Sequence, residues 1–276
     1  MILGADQCIR HGQEIKRPNQ ASRETRRAIK TPKYVFADID ETITEHGRIK
    51  SETIAAFERL QAAGIRTGLL TGRPAGWANC LIQYFPIDTI LSENGALGFN
   101  KRDGVVHTWR HPNCVPIISD VGRDFVAAVA KKFPAAVFSQ DNDYRLFDFA
   151  VEIADTRAAD PTFDFIELVD FVQDAGWQVK ESSIHFNIWK GVYDKLGGLG
   201  LFLKAEGIDP EDVRVNGVFA GDSPNDEPLF GWFEQSYGVA GVEKYLPIIK
   251  QHPKHILKGE EGAGFRELAA NILGDA

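Results

Sequence analysis

Short apolar, β-rich runs recur along this chain, and stretches with helical spacing lie between them. Residues 34–37, 67–70, 89–92 and 215–220 read as strands. Residues 51–63 place Ile54, Phe57, Leu60 and Ala63 on one helical face behind an N-cap Ser51, and residues 74–84 read as a second helix. Asn94-Gly95 turns the chain into a hairpin of 96–99 with 105–109. A helix runs to Glu206, with a short helix near Pro228 and a strand near 237–240. A strand at 255–258 and a helix at 265–273 close the chain. Strands alternating with helices across short loops imply an α/β fold, a doubly wound parallel sheet.

Residues 112–189 break that rhythm. A helix at 116–133 leads to strands at 136–140 and 144–153, and a helix at 164–175 leads to strands at 178–182 and 184–189. The expected organisation is an extension at 1–30, a core built from 31–111 and 190–276, and an inserted α+β layer at 112–189.

Composition is that of an ordinary globular protein, 43% apolar and 25% charged. No apolar run has membrane-spanning length, and residues 1–30 lack a signal-peptide segment. Cys8, Cys80 and Cys114 have no metal-binding spacing and read as reduced thiols, so the expected location is cytoplasmic. A net charge of −8 argues against general nucleic-acid binding. Residues 1–30 are the exception, with seven basic residues against three acids. They read as a loosely packed basic extension, or as an arm that docks on an acidic face.

Four of these elements carry candidate chemistry. Asp38-Ile39-Asp40-Glu41-Thr42 follows the first strand, at the edge where open α/β sheets bind ligands. Alternation puts Asp38 and Asp40 on one side, close enough to share a divalent cation. Thr71-Gly72-Arg73 ends the second strand and offers a hydroxyl and a backbone N–H to a phosphate oxygen. Lys195 opens a helix. Asp222 and Asp226, four apart across Gly221-Asp222-Ser223-Pro224-Asn225-Asp226, suit a hard cation. Each piece alone also has an ordinary reading: an acidic turn, a strand-to-helix turn, a solvated lysine, a helix N-cap.

Taken in order, Asp-x-Asp, Thr, Lys and Gly-Asp-x-x-x-Asp resemble the four motifs of the haloacid dehalogenase (HAD) superfamily over residues 34 to 272. The resemblance implies a Rossmann-like core in which Asp38 is the nucleophile and Asp40 the general acid and base. Thr71 and Lys195 would hold the phosphoryl group. Mg2+ would be bound by Asp38, Asp40, Asp222 and Asp226. Glu41 departs from the pattern, because the family usually has Gly there. The insertion at 112–189, with Asn94-Gly95-Ala96, resembles the cap of subclass IIB, the group of Cof-type sugar phosphatases, sucrose-phosphate phosphatase and mannosyl-3-phosphoglycerate phosphatase.

In such caps the sheet faces the active site, so its polar residues are candidate substrate readers. Arg145 and Asp148 are assigned to one strand; Ser183, His185 and Asn187 alternate on another. A face of hydroxyl, imidazole and amide suits a polyhydroxylated leaving group, and Arg145 suits a carboxylate or second anion. The competing reading leaves this face in solvent. With Thr71, Gly72, Arg73, Asn94, Lys195 and Asn225, these form the expected substrate-binding set. Trp109, Trp177, Trp189 and Trp232 are assigned mostly to core packing.

The expected protein is a Mg-dependent phosphatase of a small phosphate ester, a sugar phosphate or related metabolite. It would act as a monomer or homodimer, with no nucleic-acid or membrane partner. A phosphomutase and a non-catalytic phospho-ligand-binding protein are the alternatives.

Overall fold

The computed structural model describes residues 31–275, so the basic extension and Cys8 lie outside the described residues. The strands are β1 (Tyr34–Ala37), β2 (Arg66–Leu70), β3 (Thr89–Ser92), β4 (Leu97–Arg102), β5 (Val105–Arg110), β6 (Asp148–Glu152), β7 (Gln178–Glu181), β8 (His185–Trp189), β9 (Gly217–Gly221), β10 (Gln235–Gly238) and β11 (His255–Ile256). The helices are α1 (Ser51–Ala62), α2 (Ala75–Tyr84), α3 (Asp120–Lys132), α4 (Ile153–Ala159), α5 (Phe165–Asp174), α6 (Lys195–Ala205), α7 (Pro210–Asn216), α8 (Glu227–Trp232) and α9 (Glu261–Leu273).

Eight strands form one sheet in the order β11-β10-β9-β1-β2-β3-β4-β5. It is parallel from β11 to β3, and the β4–β5 hairpin adds two antiparallel strands at one edge. The inner strands are buried on both faces, which is why they read as unbroken apolar runs. Val35 and Ala37 pack with Phe57, Leu60 and Phe265 from α1 and α9. Phe36, Leu70 and Phe219 pack on the other side with Phe202 and Phe230 from α6 and α8. Because β1 lies between β9 and β2, the residues following these three strands emerge side by side.

A second, antiparallel sheet has the order β6-β8-β7. Phe149, Val151, Phe186 and Ile188 turn to α3 and α5, where Phe125, Val129, Leu168 and Val172 cover them. The opposite face carries Asp148, His185 and Asn187 and is turned toward the main sheet, where Asn187 Nδ2 donates to Gly72 O at 3.4 Å. The competing reading, which left this face in solvent, is therefore overturned.

Three local readings need correction. Residues 136–140 are not a strand but keep one bridge, Phe138 to Val151. Two backbone bonds, Ser139 N to Ala150 O at 2.9 Å and Glu152 N to Val137 O at 2.8 Å, tie this stretch to β6. Ser139 then caps a 3-10 turn, Gln140–Tyr144, whose Asn142 side chain bonds the N–H and the C=O of Ala150. Arg145 follows that turn rather than sharing a strand with Asp148, which begins β6. Lys50, not Ser51, is the N-cap of α1; the Ser51 hydroxyl donates to Glu52 Oε2. Helices α4 and α7 went unread because each spans only seven residues.

The seat of α6 depends on two glycines. Gly95 has φ +98°, and a Cβ there would lie 2.5 Å from Asp194 O. A Cβ on Gly198 would lie 2.5 Å from Gly95 O. The bare backbones let the N-terminus of α6, and so Lys195, approach the turn after β3. Gly198→Ala is expected to lower stability by about 1–3 kcal/mol through overpacking. Gly200→Ala, in the same helix with open space at its Cβ, should instead gain up to about 1 kcal/mol from helix propensity. Denaturant midpoints of the two variants test this, and equal shifts would refute the close approach.

Candidate active site

Asp38 follows β1, Thr71 follows β2 and Asp222 follows β9, all at the C-terminal edge of the sheet. The Asp38 N–H donates to Ala220 O at 2.9 Å, which ties the first and last of these loops together. Lys195 opens α6 behind its N-cap Asp194, whose carboxylate accepts from Gly197 N at 2.7 Å. Its Nζ lies 3.0 Å from Asp38 Oδ1 and 2.8 Å from Asp226 Oδ1. Asp226 Oδ2 accepts from the N–H groups of Asp222 and Ser223 at 3.1 and 3.4 Å. Asp222 Oδ1 accepts from the Thr42 hydroxyl at 3.3 Å, while its Oδ2 is buried with no hydrogen-bond partner.

Asp38, Asp222 and Asp226 thus offer carboxylate oxygens within 4.8 Å of one another, and all three are buried. Burial pushes the Asp38 carboxyl up to about 7; Lys195 opposes the rise, while Asp226 and Asp40 add to it. Burial also raises Asp222 well above the ordinary carboxylate range, reinforced by Asp226, Asp38 and Glu41. Burial alone would lower Lys195, but Asp226 and Asp38 hold it above the usual lysine value. Three acids against one cation leave a negative excess, in which a divalent cation has an oxygen-only site.

Asp40 is not part of that cluster. Its two carboxylate oxygens accept from Arg73 Nη2 at 2.7 Å and Nε at 2.8 Å. Asp40, the fourth ligand expected from sequence, is not among the grouped oxygens. Arg73 also reaches Asp141 Oδ2 at 3.2 Å and lies over the Trp77 ring at 4.4 Å. Thr71 is buried and accepts from Arg73 N at 3.0 Å.

The candidate substrate readers divide. Asn94 is buried with an unpartnered Nδ2, and its backbone N–H donates to Thr71 O at 3.1 Å. Asn225 Oδ1 accepts from the Ser223 hydroxyl at 2.9 Å. Asn187 reaches Gly72 O and also Asp148 Oδ2 at 3.3 Å. His185 Nε2 is paired with Glu152 Oε1 at 2.9 Å. Ser183 lies in the turn before β8 with its buried hydroxyl unpartnered. Arg145 is not an open anion receptor. Its guanidinium is fully buried and spent on Asp141 at 2.8 and 3.0 Å, on Asp148 at 2.9 and 3.0 Å, and on Gly72 O at 2.9 Å.

Two acids at this site escaped the sequence reading. Asp141 joins Arg73 to Arg145 and sits in an irregular turn with no periodic signal. Glu93 is fully buried and accepts from the N–H groups of Ala75 at 2.8 Å, Leu146 at 3.0 Å and Phe147 at 2.6 Å. Burial and the nearby Asp148 push it up to about 7, opposed by those N–H bonds. Glu93, Asn94 and Gly95 have successive φ values of +48°, +55° and +98°, a run that side chains disfavour. The Asn94-Gly95 turn was the available signal for this strain; nothing marked Glu93 itself.

The buried acid cluster has a consequence for stability. A carboxyl whose folded value is raised costs nothing below its unfolded value, and its penalty grows as pH rises toward the folded value. Metal-free Asp222→Asn is therefore expected to be more stable than wild type at pH 7.5, by on the order of 1–3 kcal/mol. The difference should vanish near pH 4. Melting curves with chelator at both values test this, and a less stable variant at pH 7.5 would contradict it.

Residues 35–119 match the family model of haloacid dehalogenase-like hydrolases. No curated protein matches the sequence. Among solved structures, a Thermoplasma acidophilum protein aligns with a TM-score of 0.69 at 15% identity, covering 88% of this chain and 99% of that one. A HAD/COF-like hydrolase from Plasmodium vivax aligns with a TM-score of 0.67 at 18% identity, covering 88% and 96%. A sugar phosphatase described as HAD subclass IIB aligns with a TM-score of 0.58 at 16% identity, covering 88% and 100%. The chain is thus similar to haloacid dehalogenase-like hydrolases over residues 35–119, and its fold is that of these solved structures, a subclass IIB sugar phosphatase among them.

Proposed function

We propose that the protein is a magnesium-dependent phosphatase that hydrolyses a small phosphomonoester, a sugar phosphate or related metabolite, through an aspartyl-phosphate on Asp38. The observation that carries this reading is the buried convergence of Asp38, Lys195, Asp222 and Asp226 on one sheet edge. A binding protein has no need of so costly a cluster.

The donor set fits magnesium: oxygen ligands only, with the buried Asp222 Oδ2 still lacking a partner. When bound, the cation supplies Lewis-acid charge that offsets the repulsion between a phosphate dianion and these carboxylates. Lys195 adds fixed positive charge beside Asp38. An Asp38 oxygen bonds to phosphorus as the bond to the leaving oxygen breaks. The electron pair goes to that oxygen, and a proton from Asp40 follows it. In the second displacement a water oxygen bonds to phosphorus and gives its proton to Asp40. The electron pair of the phosphorus–Asp38 bond then returns to the Asp38 carboxylate. Thr71 and the Asn94 amide orient phosphoryl oxygens.

The same reading makes residues 112–189 a specificity cap on a core of 31–111 and 190–276. The support is the polar face of β6 and β8, which meets the Thr71-Gly72-Arg73 loop through Asn187 and Arg145. Asn187, Ser183 and His185 are its candidate readers. With Arg145 neutralised, the face offers mainly hydrogen bonds, which suits a polyhydroxylated leaving group.

Phosphate release from a panel of sugar, polyol, glycerate and nucleotide phosphates tests the proposal. Turnover should require magnesium, stop with chelator, and fall by at least about a thousand-fold in Asp38→Asn. Wild-type turnover in that variant, or full activity with chelator, would overturn it.

A further inference from the structure

Asp40 has to present one oxygen to the leaving group and then to water, and a carboxylate on a loop turns freely unless something holds its plane. Arg73 does so through two parallel N–H donors, at 2.7 and 2.8 Å. Arginine's own stem is long and flexible, so its fork must be fixed in turn. Trp77 supports one face of the guanidinium at 4.4 Å. The remaining nitrogen, Nη1, reaches Asp141 at 3.2 Å.

Asp141 does not belong to the main sheet. It lies in the 3-10 turn Gln140–Tyr144, which precedes β6 of the second sheet. There it is fixed by a second fork, with Arg145 Nε and Nη2 donating to its two oxygens at 2.8 and 3.0 Å. The Ser139 hydroxyl accepts from its backbone N–H at 3.4 Å. Arg145 Nη1 continues to Asp148 and crosses back to Gly72 O at 2.9 Å. The boundary between the two layers is thus bridged by Asp141 and Arg145 onto consecutive residues, Gly72 and Arg73, and by the Glu93 carboxylate onto the N–H groups of Leu146 and Phe147.

We propose that Asp141 is a positioning residue for the reaction: it holds Arg73 against Asp40, so the general acid and base is aligned only while the smaller layer is seated on the larger one. This rests on the phosphatase reading above. Lifting the smaller layer would part Nη1 from Asp141 and Arg145 from Gly72 O, leaving the Arg73 fork supported by Trp77 alone. Proton delivery from Asp40 would then be misaligned while the nucleophile, Lys195 and the acid cluster stayed in place. Seating of the layer and readiness of the proton donor become one event, so a phosphate ester bound under an unseated layer would be cleaved slowly.

The readout follows from which bond needs the proton. An alkoxide leaves poorly without protonation, whereas a nitrophenolate leaves without it. The test is rapid-quench measurement of the first displacement in wild type and Asp141→Asn. The substrates are p-nitrophenyl phosphate and glucose 6-phosphate, or whichever alkyl phosphate of the panel wild type cleaves fastest. The expected result is a loss on the alkyl ester at least about ten-fold greater than the loss on the nitrophenyl ester. Arg73→Lys, which leaves the Asp141–Arg145 pair intact, should show the same selectivity and keeps the test decisive if Asp141→Asn does not fold. In the double variant the Asp141 effect should shrink, because it acts through Arg73. Equal losses on both esters would overturn the inference while leaving the phosphatase reading intact. No phosphate release by wild type from any ester would overturn that reading and this one together.

Discussion

Everything at the C-terminal edge of the main sheet depends on Lys195 lying buried between Asp38 and Asp226. A buried ammonium is tolerated only where fixed anions surround it, and buried carboxylates only where a cation or a bound metal answers them. The fold meets both demands through position. Strand β1 is central, β9 is its neighbour, and the N-terminus of α6 comes down on the turn after β3. Lys195 arrives there because Gly95 and Gly198 have no side chains. Packing of two bare backbones is therefore a precondition of the electrostatics.

The same turn carries a conformational cost. Glu93, Asn94 and Gly95 all lie in the left-handed region, and tertiary bonds hold them there. Glu93 N donates to Arg73 O at 3.0 Å and Asn94 N to Thr71 O at 3.1 Å. What the strain achieves is an Asn94 amide lying against Gly72 and a Glu93 carboxylate reaching into the smaller layer. The Thr71-Gly72-Arg73 loop is thus held from behind by the strained turn and from in front by Arg145, Asn187 and Asp141.

Residues whose role follows from strand ends were legible in the sequence. Asp38, Thr71 and Asp222 each follow an apolar run, and a parallel sheet brings such ends together whatever the details of packing. Lys195 and Asp226 were legible through their order in the motif set. Arg145 was misread because an arginine looks free until its partners are known. Asp141 sits four residues before it in an irregular turn, and Asp148 three residues after it at the start of a strand. The 136–140 stretch was misread because its ladder with β6 stops after two backbone bonds, Ser139 N to Ala150 O and Glu152 N to Val137 O, and the Asn142 side chain takes the Ala150 N–H beyond them. Alternation puts Asp40 on the same side as Asp38, but no sequence pattern announces that both of its carboxylate oxygens are engaged by Arg73.

Glu41 shows how a departure from a family pattern can be absorbed. Its φ of +52° is a conformation that glycine adopts freely and glutamate adopts at a cost of about 1 kcal/mol. The backbone keeps that geometry through its N–H, which donates to the Thr44 hydroxyl at 3.0 Å. The added carboxylate pairs with Lys244 at 3.0 Å, a cation on the loop after β10. Even so paired, Glu41 contributes to the rise of the Asp222 carboxyl. Glutamate at this position therefore keeps the positive φ of the loop after β1 while making its surroundings more negative. Glu41 thus adds to the negative excess around the three buried acids, and its pairing with Lys244 offsets part of that charge.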